Sequence, residues 1–576
     1  VNLTLSYAEM NAHRPEESLS LGTGALIQTD VGGKVTLNSS TSIFVEGGII
    51  TPAGKIALNI TVPPVVVGFS DSQGIWLGAN SRLLAQGAFV QTPNNLGLIS
   101  GEVLDGGTVS LEAKRGYIVS RAGSKIDVSG TAANLNVAEL SNGRRVQPLR
   151  QVASNAGSIH LSAGEGMLWD GGLKATAGGA SAAGGSLQVS LDRGLRSKPD
   201  LPIIGSLFPD DRNPNQPYRI EISADATPSI PDTLATGANI DPGLFGGKAL
   251  LNSQAINQAG FASLALKTDT ARVAGQINSG VLFKGDVQLN ATRQIVLDTP
   301  SLQSDGGKVV LNSAYVALGS AQSRIGDQLA PNASTGVGQF VAHAQGLELI
   351  GGLAFNGFND IQLLSSGDVR LRGLLDVRLK DFLGQLKVAG DLTIHANQLY
   401  PGTLTDFTID AGSHTVTFLN SPGMAAPVFS AGGSLTVNAA NIHQRGTLKA
   451  PFGSINLNAT DTLQLANGSL TSVSANGLVI PFGRGSGGTD WLYPLDASQN
   501  NNIVIDAPPT KNLQFSGKDV DLQAGAKIDL SGGGDLYAYE FIPGPGGSND
   551  VLSAGSGSFA VIPGFNSVLT PFDPLE

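Results

Sequence analysis

A short phrase recurs along this chain at a near-constant interval: glycine, a small or polar residue, then apolar–any–apolar, often closed by Asn. It reads Gly33-Lys-Val-Thr-Leu-Asn38 and Gly54-Lys-Ile-Ala-Leu-Asn59, and it returns after Gly107, Gly157, Gly185, Gly285, Gly307, Gly367, Gly390, Gly433 and Gly453. Gly33 to Gly54 is 21 residues, Gly285 to Gly307 is 22, Gly367 to Gly390 is 23 and Gly433 to Gly453 is 20. The apolar residues alternate with period two, the period of a strand. A unit this short cannot bury its own apolar face and must stack on copies of itself.

A leucine-rich repeat shares the interval but needs a fixed Leu/Asn consensus and a helical turn per unit. Here strands run into strands through Gly, Asn, Asp and Ser. The expectation is an all-β chain: a right-handed parallel β-helix, a solenoid of about 21 residues per coil with loop insertions. Strands are read at 25–28, 34–38, 42–45 and 55–59, with Val35 and Leu37 inward and Lys34 and Thr36 outward. Stacking in register places Val35, Ile56, Val287 and Val309 inside the coil. The glycine before each strand suits a corner of positive φ or a close approach of the next coil. About 20 such coils stacked ~4.8 Å apart make a rod roughly 95 Å long.

Interruptions are local. Residues 1–195 read as coils with an excursion near 131–156, which carries Arg144, Arg145 and Arg150. Residues 196–260 read as a Pro-rich insertion, because eight of the 29 prolines fall between Pro199 and Pro242 and deny the chain a regular ladder. It is expected to protrude, with a short helix at 250–258. Residues 261–476 return to coils, 477–508 form a loop insertion, and 509–576 hold C-terminal coils and Gly-rich turns. Solenoid insertions tend to emerge from one face, and binding concentrates there.

Composition narrows the partners. The net charge is −11 and the pI about 5.1. That argues against nucleic acid and anionic lipid, both of which are bound through clustered Lys and Arg. The chain has no Cys, which excludes a disulfide framework, thiolate metal sites and a Cys nucleophile. No apolar stretch reaches the ~18 residues of a membrane-spanning helix, so membrane insertion is not expected. The chain opens on Val1 without a signal-like segment and reads as a piece of a longer polypeptide.

No constellation reads as catalytic. Many parallel β-helices cleave polysaccharides, which takes two or three carboxylates converging on one face, or Asp and Lys/Arg around Ca²⁺. The adjacent Asp210 and Asp211 lie in the Pro-rich insertion, where solvated acids are the expected reading. His13, His160, His343, His395, His414 and His443 show no metal-ligand spacing. Lys284-Gly-Asp286 resembles an integrin tripeptide, but Gly285 has a repeat role. Gly532-Gly-Gly-Asp535 leads into a strand-like stretch rather than a phosphate-binding helix. Ala122–Gly130 and Ala524–Gly532 differ at two positions only; they read as a repeated corner, with Lys125 and Asp127 outward. No cofactor and no metal is expected. If the segment binds a partner, the loops supply the residues: Arg484, Trp491 and Tyr493 in one, Arg144 and Arg145 in another, Phe208 and Tyr218 in a third. Trp, Tyr and Arg dominate interface hot spots. The competing role for Trp491 and Tyr493 is to pin their own loop.

The stretches Gly468–Gly483, Trp491-Leu-Tyr-Pro-Leu495 and Ile528–Leu552 resemble the large exoproteins of the filamentous haemagglutinin family. The resemblance implies a β-helical shaft, two-partner secretion through an outer-membrane transporter, and display at the bacterial cell surface. The implied role is adhesin-like: attachment or biofilm contacts through a host-cell, matrix or glycan receptor. The family's secretion domain carries Asn-Pro-Asn-Leu; the nearest string here is Asn213-Pro-Asn-Gln216, a departure that leaves export resting on the resemblance. A carbohydrate-active β-helix enzyme, a lyase or hydrolase of tailspike type, is the alternative.

Overall fold

The computed structural model describes residues 1–7, 18–61, 70–141, 143–191, 217–225, 228–268, 279–321, 330–376, 379–486, 489–496 and 501–539. They are almost entirely β, in short and mostly parallel strands. The chain divides into two compact units, Val1–Ala314 and Tyr315–Glu576.

In the first unit the strands form three columns. One runs through Asn2–Tyr7, Lys34–Ser39, Lys55–Ile60, Thr108–Ala113, Ser158–Ala163 and Gly185–Leu191. A second contains Ser18–Leu21, Ser42–Val45, Gly74–Leu77, Tyr117–Ser120 and Gly166–Trp169. The third joins Leu26–Gln28, Gly48–Ile50, Arg82–Leu84, Lys125–Asp127 and Gly172–Lys174. Register holds along each. Leu5, Leu37, Leu58, Leu111, Leu161 and Val189 stand in line, and from Leu37 onward all are buried. Val35 pairs with Ile56 and Val287 with Val309, and all four are buried.

The same stacking explains the recurrent glycine. A Cβ on Gly54 would lie 2.2 Å from the Gly33 carbonyl oxygen, one on Gly107 1.9 Å from that of Gly54, and one on Gly157 1.8 Å from that of Gly107. Gly33, Gly54, Gly107 and Gly157 all have ordinary φ. At Gly54, Gly107 and Gly157 the requirement is therefore close approach of successive strands, whereas Gly285 holds φ 65° with open space around it. The Asn that closes the phrase stacks as well: Asn59 Nδ2 donates to Asn38 Oδ1 at 2.9 Å, and Asn312 Nδ2 to Asn290 Oδ1 at 2.8 Å.

The second unit repeats the pattern. Asp381–Lys387, Thr405–Asp410, Ser434–Arg445, Ser454–Leu465 and Asn512–Ser516 pair in parallel, each with the next. Leu457 has Phe515 as its partner and Ser472 has Asp529, so the ladder resumes in register at Asn512, and the described strands between Ser472 and Asn512 stand outside it.

The Pro-rich interval is not uniformly a protrusion. Arg219–Ser223 and Lys248–Asn252 pair in parallel within the ladder, because Tyr218-Arg-Ile-Glu-Ile-Ser223 is proline-free and alternates. The helix expected at 250–258 begins at Ser253, where the Asn252 side chain caps the Ala255 N–H at 2.8 Å. The stretch near 131–156 forms two antiparallel pairs, Ala132–Asn136 with Leu149–Ala153 and Glu139–Ser141 with Arg144–Val146.

Candidate functional site

Two insertions lie on the outer faces of the ladders, each for a visible reason. In the first unit, Phe44, Trp76, Val119, Leu168 and Leu250 stand in line on one outer face. Such a stripe cannot be left in water. Residues 228–246 cover it, with Ile230 and Ile240 packed on Trp76, Val119 and Leu168. The Asp170 carboxylate accepts the N–H groups of Ser229 and Ile230 at 2.7 and 3.0 Å. Arg121 donates to the Leu234 carbonyl, and Ile240 N–H donates to the Asp71 carbonyl at 3.0 Å. This part of the interval is a strap laid along the sheet. Tyr218, expected on a loop, is buried and donates its hydroxyl to the Gly164 carbonyl at 2.7 Å. Phe208, Asp210, Asp211, His13 and the Asn213 string fall outside the described residues.

In the second unit the insertion folds as strands Val479–Ser486, Asp490–Pro494 and Asn502–Val504, joined by Asp535–Tyr539. Its apolar side meets a corner of the ladder: Phe482, Ile480, Trp491 and Tyr493 pack with Leu404 and Phe452. Leu404 and Phe452 hold φ of 54° and 51°, the region that favours glycine. The corner thus carries strained apolar residues where glycine would offer nothing to dock against. Trp491 Nε1 donates to the Phe482 carbonyl at 2.6 Å, and both Trp491 and Tyr493 contact the Phe482 ring. Arg484 is half-buried opposite Leu492. Arg144 and Arg145 belong to the other unit and are exposed; Arg144 faces Ser141 and Arg145 faces Leu140, so strand alternation turns them to opposite sides of their hairpin.

The sequence reading missed a polar row on the second unit's ladder. Glu348, Arg370 and Tyr400 are successive partners. Glu348 is buried and ion-paired with Arg370. Buried Gln398 donates to Asp368 Oδ2 at 2.8 Å and to the Ala426 carbonyl at 2.7 Å. Burial pushes the Asp368 carboxyl up and the Lys449 ammonium down, while each charge partly offsets the other's shift. Burial also raises the Tyr400 hydroxyl, to about 12, and the Tyr315 hydroxyl further, helped by the Glu348 charge. Each acid in the row faces a cation or an amide. The arrangement compensates buried charge and does not present a pair of acids to one bond. Its signal in the sequence is weak, since it consists of outward positions 22 and 30 residues apart.

At the repeated corner Asp127 lies on the outward face with Lys125, as expected, but it is fully buried there. It accepts from Lys125 Nζ at 2.9 Å, Gln86 Nε2 at 3.0 Å and the Ser129 N–H at 3.0 Å. Burial raises its carboxyl, but the bonds from Lys125 and Ser129 outweigh burial and hold it below the usual range. Asp529, its counterpart, likewise accepts the N–H of the serine two residues on, Ser531, and adds the Ser531 and Ser472 hydroxyls.

Beside the helix Ser253–Gln258 an open cavity of about 560 Å³ is lined by Ser253, Asn257, Asp286, Gln288, Asn290 and Lys308. Its amides largely bond one another: Asn257 Oδ1 accepts the Asn290 N–H and Asn257 Nδ2 donates to the Gln288 carbonyl, both at 2.9 Å. His160 meets Gln188 at 3.2 Å and His395 meets the Asn420 carbonyl at 2.7 Å. Among the described residues no three His, Asp or Glu side chains gather as a metal site. No family model, no curated protein and no solved structure matches the chain.

Proposed function

We propose that the chain is the shaft of a secreted or surface-displayed bacterial adhesin or exoprotein, built as a right-handed parallel β-helix of about 21 residues per coil. One observation carries this reading: the ladder keeps its register across insertions. Lys55–Ile60 pairs residue for residue with Thr108–Ala113, although 53 positions separate Lys55 from Thr108. A scaffold whose ladder tolerates such unequal spacing can gain length by adding coils and carry recognition on its insertions. Export through an outer-membrane transporter, and attachment or biofilm contact through a cell, matrix or glycan receptor, follow from the resemblance of the C-terminal third to filamentous haemagglutinin exoproteins.

The alternative, a carbohydrate-active β-helix, has the row Glu348, Asp368, Arg370, Tyr400 and Lys449 in its favour. The ion pair and amide contacts of its acids speak against it. Attachment of a producing strain to host cells and matrix tests both readings. Loss of attachment without the chain is expected, with restoration by wild type and by Glu348→Gln alike. Unchanged attachment contradicts the shaft reading, and polysaccharide cleavage that Glu348→Gln abolishes establishes the enzyme.

A further inference from the structure

The third column of the first unit runs into a helix. Its strand Gly172–Lys174 pairs with Lys125–Asp127, and Ala175, next in the chain, donates to the Ala259 carbonyl at 2.7 Å, just past the helix Ser253–Gln258. The helix also bonds the strand Val287–Asn290, which pairs with Lys308–Asn312. Ala291 donates to the Asn312 carbonyl at 3.0 Å, so strand alternation turns the backbone of Gln288 and Asn290 the opposite way, toward the helix. There the Asn257 side chain stands in for a peptide group: its Oδ1 accepts the Asn290 N–H and its Nδ2 donates to the Gln288 carbonyl. A helix spans less of the column than a strand would. Its six residues rise about 9 Å, where the same number in a strand rise about 20 Å. The length left over is open. Cavities of about 560 and 650 Å³ share Asn257 and Asn290 in their walls, so they meet over this pair of amides as one groove.

We propose that this groove binds a neutral oligosaccharide a few rings long. The inference deepens the glycan-receptor part of the function proposed above and rests on it. Each cavity falls within the ~300–1,000 Å³ usual for small-ligand sites. The chemistry selects hydroxyls. Asn290 Oδ1 accepts from Gln288 Nε2 at 2.9 Å and from Asn312 Nδ2 at 2.8 Å. These bonds fix the three amides and leave the opposite end of each for a ligand: Asn290 Nδ2 to donate, Gln288 Oε1 and Asn312 Oδ1 to accept. Exposed Gln254 adds an amide from the helix. A sugar hydroxyl both donates and accepts, so a run of oriented donors and acceptors suits it. Other ligand classes find less. Asp286 and Lys308 are the only charged residues in the walls; they offset each other, which gives neither a polyanion nor a metal ion a hold. A peptide adding as a strand would need the Gln288 carbonyl and the Asn290 N–H, which Asn257 already occupies.

A printed array of neutral and anionic oligosaccharides, probed with the purified chain, tests the proposal. Neutral glycans of several rings are expected to bind. Asn290→Leu keeps the size of an exposed side chain and removes the central donor, while Gln254→Ala trims an exposed helix residue. Each is expected to weaken binding about tenfold, with amide exchange over Lys308–Asn312 unchanged. Full binding by Gln254→Ala, or by Asn290→Leu with that exchange intact, overturns the groove and leaves a glycan receptor elsewhere on the chain. Binding confined to anionic glycans, or to none, overturns it as well. Attachment of the producing strain, measured alongside, separates these failures from failure of the shaft reading: only the latter leaves a strain without the chain attaching as well as its parent.

Discussion

Trp491 donates its indole N–H to the Phe482 carbonyl at 2.6 Å and meets the Phe482 ring edge-on, with centroids 6.2 Å apart. The residue best suited to reach a partner thus holds its own insertion closed against Leu404 and Phe452. Trp491→Phe keeps an aromatic ring but loses the bond and part of the packed area, and is expected to cost about 1 kcal/mol or more. Trp491→Ala should open the insertion, so that limited proteolysis nicks it while the ladder over Ser454–Leu465 stays resistant. Unchanged resistance in the insertion would show that the Trp491 contact does not hold it.

Trp76 faces outward from its strand yet is 1% exposed, because residues 228–246 lie over it. Trp76→Ala removes the centre of that contact and is expected to cost about 3–5 kcal/mol, with faster amide exchange over the strap. An effect no larger than that of an exposed substitution would mean the strap is not packed.

Gly107 shows how tightly successive parallel strands approach. Gly107→Ala places a Cβ against the Gly54 carbonyl and is expected to cost about 1–3 kcal/mol or more. Gly22→Ala, which meets nothing within 4 Å, should be nearly neutral. Denaturant midpoints of the two variants make the comparison, and equal midpoints would contradict the close stacking.

Asp127 ties a corner to the pH. Its folded value lies below the unfolded one of about 3.9. Its contribution is therefore complete above that unfolded value and is lost as the pH falls through the lowered folded value. Asp127→Asn should weaken the protein by about 1–3 kcal/mol near neutrality and flatten this part of its acid dependence. An unchanged slope of stability against pH would contradict the role.

Much of this fold is legible in the sequence. The alternation that puts Val35, Ile56, Val287 and Val309 inside is local and needs nothing beyond the period of a strand. The outer faces are harder, because their burial is decided by distant segments. Ile75-Trp-Leu77 and Met167-Leu-Trp169 are apolar without alternation, as strands covered on both sides are; that signal foretells a cover but not that residues 228–246 supply it. Proline density points to irregular chain, and it hides the alternating run that follows Pro217. The row from Glu348 to Tyr400 is least visible, since its members become neighbours only once parallel strands 22 and 30 residues apart are in register.

The account stands on a ladder that continues across its insertions, and the absence of native cysteine makes this directly measurable. Lys55 and Thr108 are partners in the ladder, so cysteines there would sit on strands ~4.8 Å apart, within reach of a disulfide or a short thiol cross-linker. Lys55→Cys/Thr108→Cys is predicted to link rapidly within one chain, closing a loop of residues 56–107 and leaving the protein folded. Two accessible thiols that fail to link would contradict the register and, with it, the shaft.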